Sequence, residues 1–180
     1  QVLLAEVTHN KSVSALAFQL QKSFTYQLRY NAVMGLQGQV ADGAQLDEYF
    51  GQAVADAHWS IRKEAWNYLA EMKYANPSLV QKAKVSFNTD KKSHVRSAAL
   101  AYLDAVADSP SEYLALYTKG LADRSFMVNA TALTGYLGTD ADDKGTKVVE
   151  LRDVKSASMV NAIIKYYIEV GDSTQFNWIQ

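Results

Sequence analysis

The sequence predicts an all-α protein, a stack of about five antiparallel helix pairs, on three grounds. First, the motif D-x-x-x-x-(I/V)-R recurs. Asp56 leads to Ile61-Arg62, Asp90 to Val95-Arg96, and Asp123 to Val128-Asn129, at intervals of 34 and 33 residues. Second, the match continues past the basic residue: Arg62, Ala65, Trp66, Tyr68 and Leu69 align with Arg96, Ala99, Leu100, Tyr102 and Leu103. Third, the apolar residues keep helical rather than alternating spacing, as in Tyr113, Leu114, Leu116, Tyr117 and Leu121. A repeat of this length implies a stacked array in which each unit buries its neighbour's apolar face.

Taken in order, residues 1–10 read as a linker or short strand, because Val2, Leu4 and Glu6 fit either state. From residue 11 to 180 the chain reads as one helical repeat domain. A weak first copy holds Leu28-Arg29, Ala32, Val33 and Leu36, with helices expected over 12–22 and 25–37. The loop Gly38 to Gly43 precedes the second pair, 44–55 and 58–72. The third pair spans 77–88 and 93–107. Its start is marked by Asn76-Pro77, a capping residue followed by a proline in the first turn. Ser109-Pro110-Ser111-Glu112 reads as a capping box opening the fourth pair, 111–122 and 125–137. After the loop Gly138 to Gly145 come 146–153 and 157–170, where Val160-Asn161 and Ile164 form a weak fifth copy. Residues 174–180 begin a further helix.

Each repeated position has a physical reason. The small residue at Ala32, Ala65, Ala99 and Ala132 lets a neighbouring helix approach closely, and the bulkier Val33, Trp66, Leu100 and Leu133 fill the space between layers. The Asp falls in the inter-helix turn, where a carboxylate satisfies backbone N–H groups at a helix start. The Arg, one turn into the second helix, is placed to meet that Asp or the Asp of the next repeat. Asp56, Arg62, Asp90, Arg96, Asp123 and Asn129 are therefore read as a structural ladder that sets register, since exposed ion pairs are worth only about 0–1 kcal/mol each.

Composition narrows the function. The 180 residues are 48% hydrophobic and 21% charged, with a net charge of −1. That is a globular profile with no global attraction for a polyanion. No apolar run is long enough for a membrane span, so neither a nucleic-acid nor a membrane partner is expected. The absence of cysteine removes disulfides and thiolate metal sites, and suits cytoplasm and bacterial periplasm alike. Both ends look like cuts through structured sequence, so the chain is expected to be a segment of a larger protein.

Candidate sites are few. His9, His58 and His94 show no i, i+4 pairing and no adjacent metal-binding Glu. Asp140, Asp142 and Asp143 resemble the start of a calcium loop, but the fifth and twelfth positions are Lys144 and Leu151, so a solvated acidic loop is expected. Lys82, Lys84, Lys91 and Lys92 form a basic group that reads as an ordinary solvated face. Trp66 fits the core stripe. Trp59 falls off it, at the inter-helix turn, and is read as part-buried or as a contact to another domain. No nucleophile–base pair is present.

An Asp in the inter-helix turn, then Val-Arg and a small residue three positions on, resembles the HEAT repeat. That resemblance implies a right-handed α-α superhelix. A further resemblance involves Leu3-Leu4-Ala5-Glu6-Val7, Lys11, Ala17-Phe18-Gln19-Leu20 and Tyr26-Gln27-Leu28-Arg29-Tyr30-Asn31-Ala32. This layout is similar to the start of the C-terminal HEAT-like domain in bacterial zinc aminopeptidases of the aminopeptidase N family. It implies a non-catalytic domain that packs on upstream domains of the same polypeptide and limits peptide access. The family's His-Glu-x-x-His and Gly-x-Met-Glu-Asn motifs are absent here. No catalytic or metal-binding residue carries over, and the zinc is expected in the catalytic domain of the parent protein. The alternative is a HEAT scaffold that binds a protein or peptide. A HEAT-type enzyme acting on DNA or a pigment is a third reading, for which no basic groove or catalytic constellation can be named.

Overall fold

A computed structural model describes residues 2–154 and 156–170, with side chains from residue 11 onward. Among these residues every regular element is helical. The first helix, α1 (Val2–Lys22), corrects the linker or strand expected over 1–10. The reason is local: Leu3, Leu4, Ala5 and Glu6 are good helix formers, and no Gly or Pro interrupts them. The expected helix at 174–180 lies outside the described residues.

The chain forms two compact units that meet in sequence at Val106 and Ala107. In the first unit, α1 packs on α2 (Tyr26–Leu36), and α2 packs on α5 (Trp59–Glu71). In turn, α5 packs on α7 (Ser93–Ala105), which also meets α6 (Pro77–Thr89). The first helix of the second pair is composite. It runs from α3 (Gly43–Gln45) through a π-helical turn (Leu46–Phe50) into α4 (Gly51–Ala53). Asp42 opens it by accepting from the Ala44 and Gln45 N–H groups. Lys82, expected on a solvated face, reaches from α6 to the Gly51 carbonyl at 3.0 Å.

The repeated positions occupy the core. Ala32, Ala65, Ala99 and Ala132 are fully buried, as are Val33, Trp66, Leu100 and Leu133. Ile61, Val95 and Val128 are buried too, whereas Leu28, their counterpart in the first copy, is 43% exposed. Of the helices that carry the repeat, α2 packs on α5, and α5 packs on both α2 and α7. Trp66 fills the place that Leu holds in the next two copies, and its indole N–H has no hydrogen-bond partner. Its ring packs against Tyr102, centroids 5.1 Å apart.

Helix ends follow their sequence signals in part. Asn76 caps α6, its side-chain oxygen accepting from the Ser78 N–H at 2.8 Å. Ser109 does not open an α-helix, because residues 110–113 form a turn and the next helix begins at Leu114. Glu112 reaches back one residue further than a capping box would, to the Asp108 N–H. Past the end of α5, Lys73 takes a left-handed conformation (φ 47°). There the Tyr74 N–H donates to the Leu69 carbonyl and the Lys73 N–H to that of Ala70, a Schellman closure that ordinarily uses glycine. Gly38 takes positive φ (76°) after α2.

In the second unit, α8 (Leu114–Leu121) packs on α9 (Phe126–Gly138), and α9 packs on α11 (Ala157–Val170). With α10 (Lys144–Leu151), they enclose a core of Leu133, Val148, Met159 and Ile163. The buried face of α11 falls one residue earlier than the expected fifth copy. Met159, Ala162 and Ile163 are inside, while Val160 and Ile164 are partly exposed and Asn161 is exposed. In α9, Gly135 stands where α5 and α7 carry Tyr68 and Tyr102, and the buried Tyr117 ring occupies the space so freed.

Two substitutions test this packing. A Cβ at Gly135 would lie 2.7 Å from two carbons of the Tyr117 ring, so Gly135→Ala is expected to destabilise the protein by about 1–3 kcal/mol in denaturant titration. A neutral effect would show that the ring is not seated there. Lys73→Gly relieves a left-handed residue and is expected to raise stability by about 1 kcal/mol. A loss on thermal melting would contradict the closure described.

Candidate interaction surface and the inter-repeat ladder

The repeated polar contacts of this chain lie in the turns before α2, α5, α7 and α9. Each turn Asp first organises its own backbone. Asp56 accepts from the His58 N–H at 2.7 Å, Asp90 from Lys92 at 2.9 Å and Asp123 from Ser125 at 2.9 Å. These are Asx turns two residues ahead, a step short of capping the helix proper.

The arginines then join the repeats. Nε and Nη2 of Arg29 donate to the two carboxylate oxygens of Asp56, at 2.7 and 2.9 Å. Arg62 does the same to Asp90, at 2.8 and 3.0 Å. Each pairs with the Asp of the following repeat, so the side chains of Asp56 and Arg62 do not meet as an ion pair. The remaining Nη1 of each turns back on its own turn. Arg29 donates to the Ser23 and Phe24 carbonyls, Arg62 to those of Asp56 and Ala57, and Arg96 to that of Asp90. Asn129, in the fourth copy, donates to the Gly120, Leu121 and Asp123 carbonyls. It keeps the inward half of the arginine's work.

These pairs are not the exposed ones the sequence suggests. The Asp56 and Asp90 side chains are 10% and 9% exposed, and each contact is a bidentate fork. Burial pushes the Asp56 carboxyl up, but the Arg29 hydrogen bonds and the His58 N–H outweigh it and hold the group below its ordinary range. The same Asp56 contact raises the Arg29 guanidinium against the opposing effect of burial.

A second tie lies at the opposite ends of these helices. The Tyr68 hydroxyl donates to the Val40 carbonyl at 2.8 Å and accepts from the Gly38 N–H at 2.9 Å. The Tyr102 hydroxyl donates to the Tyr74 carbonyl at 3.0 Å, and burial pushes its pKa up to about 12. Val40 and Tyr74 are 34 residues apart, like Tyr68 and Tyr102. The match of the two tyrosines is visible in the sequence, but their role is not, because their acceptors sit in irregular loops. Asp47, in the π-helical turn, adds a neighbouring tie by accepting from the Tyr74 hydroxyl and the Asn76 side chain.

Along the turn edge of the first unit the rings form a row. Tyr26 stacks on His58 with centroids 3.9 Å apart and planes 15° apart. His58 neighbours Trp59 at 6.0 Å, and Trp59 neighbours His94 at 5.0 Å. Trp59 is half-buried between the two imidazoles, and the His58 Nδ1 lies 2.8 Å from the Ser60 hydroxyl. The sequence treats His58 and His94 as unrelated, whereas the fold sets both against one indole. Beside the row, Phe24 is fully exposed and lines a shallow apolar groove with Tyr26, Ala57 and His58.

Other candidates resolve separately. In the acidic loop, Asp143 accepts the Tyr136 hydroxyl; that hydrogen bond, with burial second, pushes Tyr136 up to about 12. Asp140 exchanges hydrogen bonds with Ser111. Among the described residues, no cluster of His, Asp or Glu is arranged to hold a metal ion, and no helix is long and apolar enough to cross a membrane. No known family model matches the sequence, and no curated protein matches it.

Two outcomes test the ladder. Arg62→Ala strands the buried Asp90 carboxylate and is expected to cost about 3 kcal/mol. In a double-mutant cycle, Asp90→Ala should recover part of that loss, and strictly additive losses would refute the pairing. Because its native pKa is depressed, Asp56 adds stability that is complete above its unfolded pKa of about 4 and lost as pH falls through the native value. Asp56→Asn should therefore flatten the acid limb of the stability profile. An unchanged limb would show that Asp56 is not held ionised by the fold.

Proposed function

We propose that this chain is a non-catalytic, right-handed helical-repeat domain of a zinc-dependent aminopeptidase, and that its helix pairs continue as a HEAT-like solenoid. The observation that supports the array is the repetition of one node at the repeat interval. Arg29 and Arg62 each bind their own turn and the next repeat's Asp, in the same geometry. The link to an aminopeptidase rests on the resemblance at residues 3–32, including Tyr26 to Ala32. In this reading the domain packs on the catalytic domain of the same polypeptide, with the Trp59 edge as contact, and narrows the path by which peptides reach the zinc. Zinc chemistry belongs to that upstream domain, and the residues here supply shape.

The exposed Phe24 beside the Tyr26–His58–Trp59–His94 row favours one alternative, a scaffold that holds a protein or peptide partner on this edge. The encoded parent polypeptide separates the two readings. It is expected to carry His-Glu-x-x-His upstream and to hydrolyse aminoacyl chromogenic substrates in a zinc-dependent way. Removal of this domain is expected to relax discrimination against long peptides. A parent without that motif, or without zinc-dependent hydrolysis, would reject the aminopeptidase reading and leave the scaffold.

A further inference from the structure

We draw no further inference here: the strongest candidate, the apolar groove lined by Phe24, Tyr26 and His58 at the start of α2, continues the aromatic edge already described, and nothing in the structure shows what covers it.

Discussion

One guanidinium performs three tasks at each of the first two repeat turns, and the register of α2, α5 and α7 depends on it. The inter-helix turn leaves backbone carbonyls that the helices do not satisfy, and the part-buried ones need a partner. Arg29 and Arg62 spend Nη1 on those carbonyls and the other edge of the fork on the carboxylate of the next repeat. That carboxylate is itself fixed by the N–H two residues ahead. Turn shape, helix start and spacing to the next pair are thus set by one planar group. Lysine lacks the fixed fork to reproduce this.

The ties run in opposite senses at the two ends of the same helices. At the start, the donor belongs to the earlier repeat and the acceptor to the later one. At the far end, Tyr68 and Tyr102 are donors on the later repeat, and the acceptor carbonyls of Val40 and Tyr74 belong to the loop after the earlier one. A helix held this way is tied to its neighbours at both ends, while the buried alanines let it lie close to them. Apolar burial supplies most of the driving force and is non-directional; the polar ties select one register among the packings it permits.

The departures from the pattern are also informative. Asn129 satisfies its own turn but is too short to present an arginine fork. Gly135 replaces the tyrosine tie with space for the Tyr117 ring. In α11 the buried face shifts by one residue, so the motif has faded there even though the helix persists. The second unit is held by its own apolar core and by local bonds such as Tyr136 to Asp143.

The sequence alone determined that the described residues are helical, where most helices begin and end, and which residues of α5, α7 and α9 face inward. Those properties depend on spacing, capping and small-residue placement, all of which act within one or two helical turns. It did not determine that the segment read as a linker or short strand, 1–10, belongs to a helix, because Val2, Leu4 and Glu6 fit either state. It left open which Asp each Arg would choose, and hid the roles of Tyr68 and Tyr102 and the packing of His94 on Trp59. Those contacts join residues 27 to 35 positions apart. Only the packing of α2 on α5 and of α5 on α7 brings their atoms within hydrogen-bonding or ring-contact distance, and no local rule encodes which partners that packing selects.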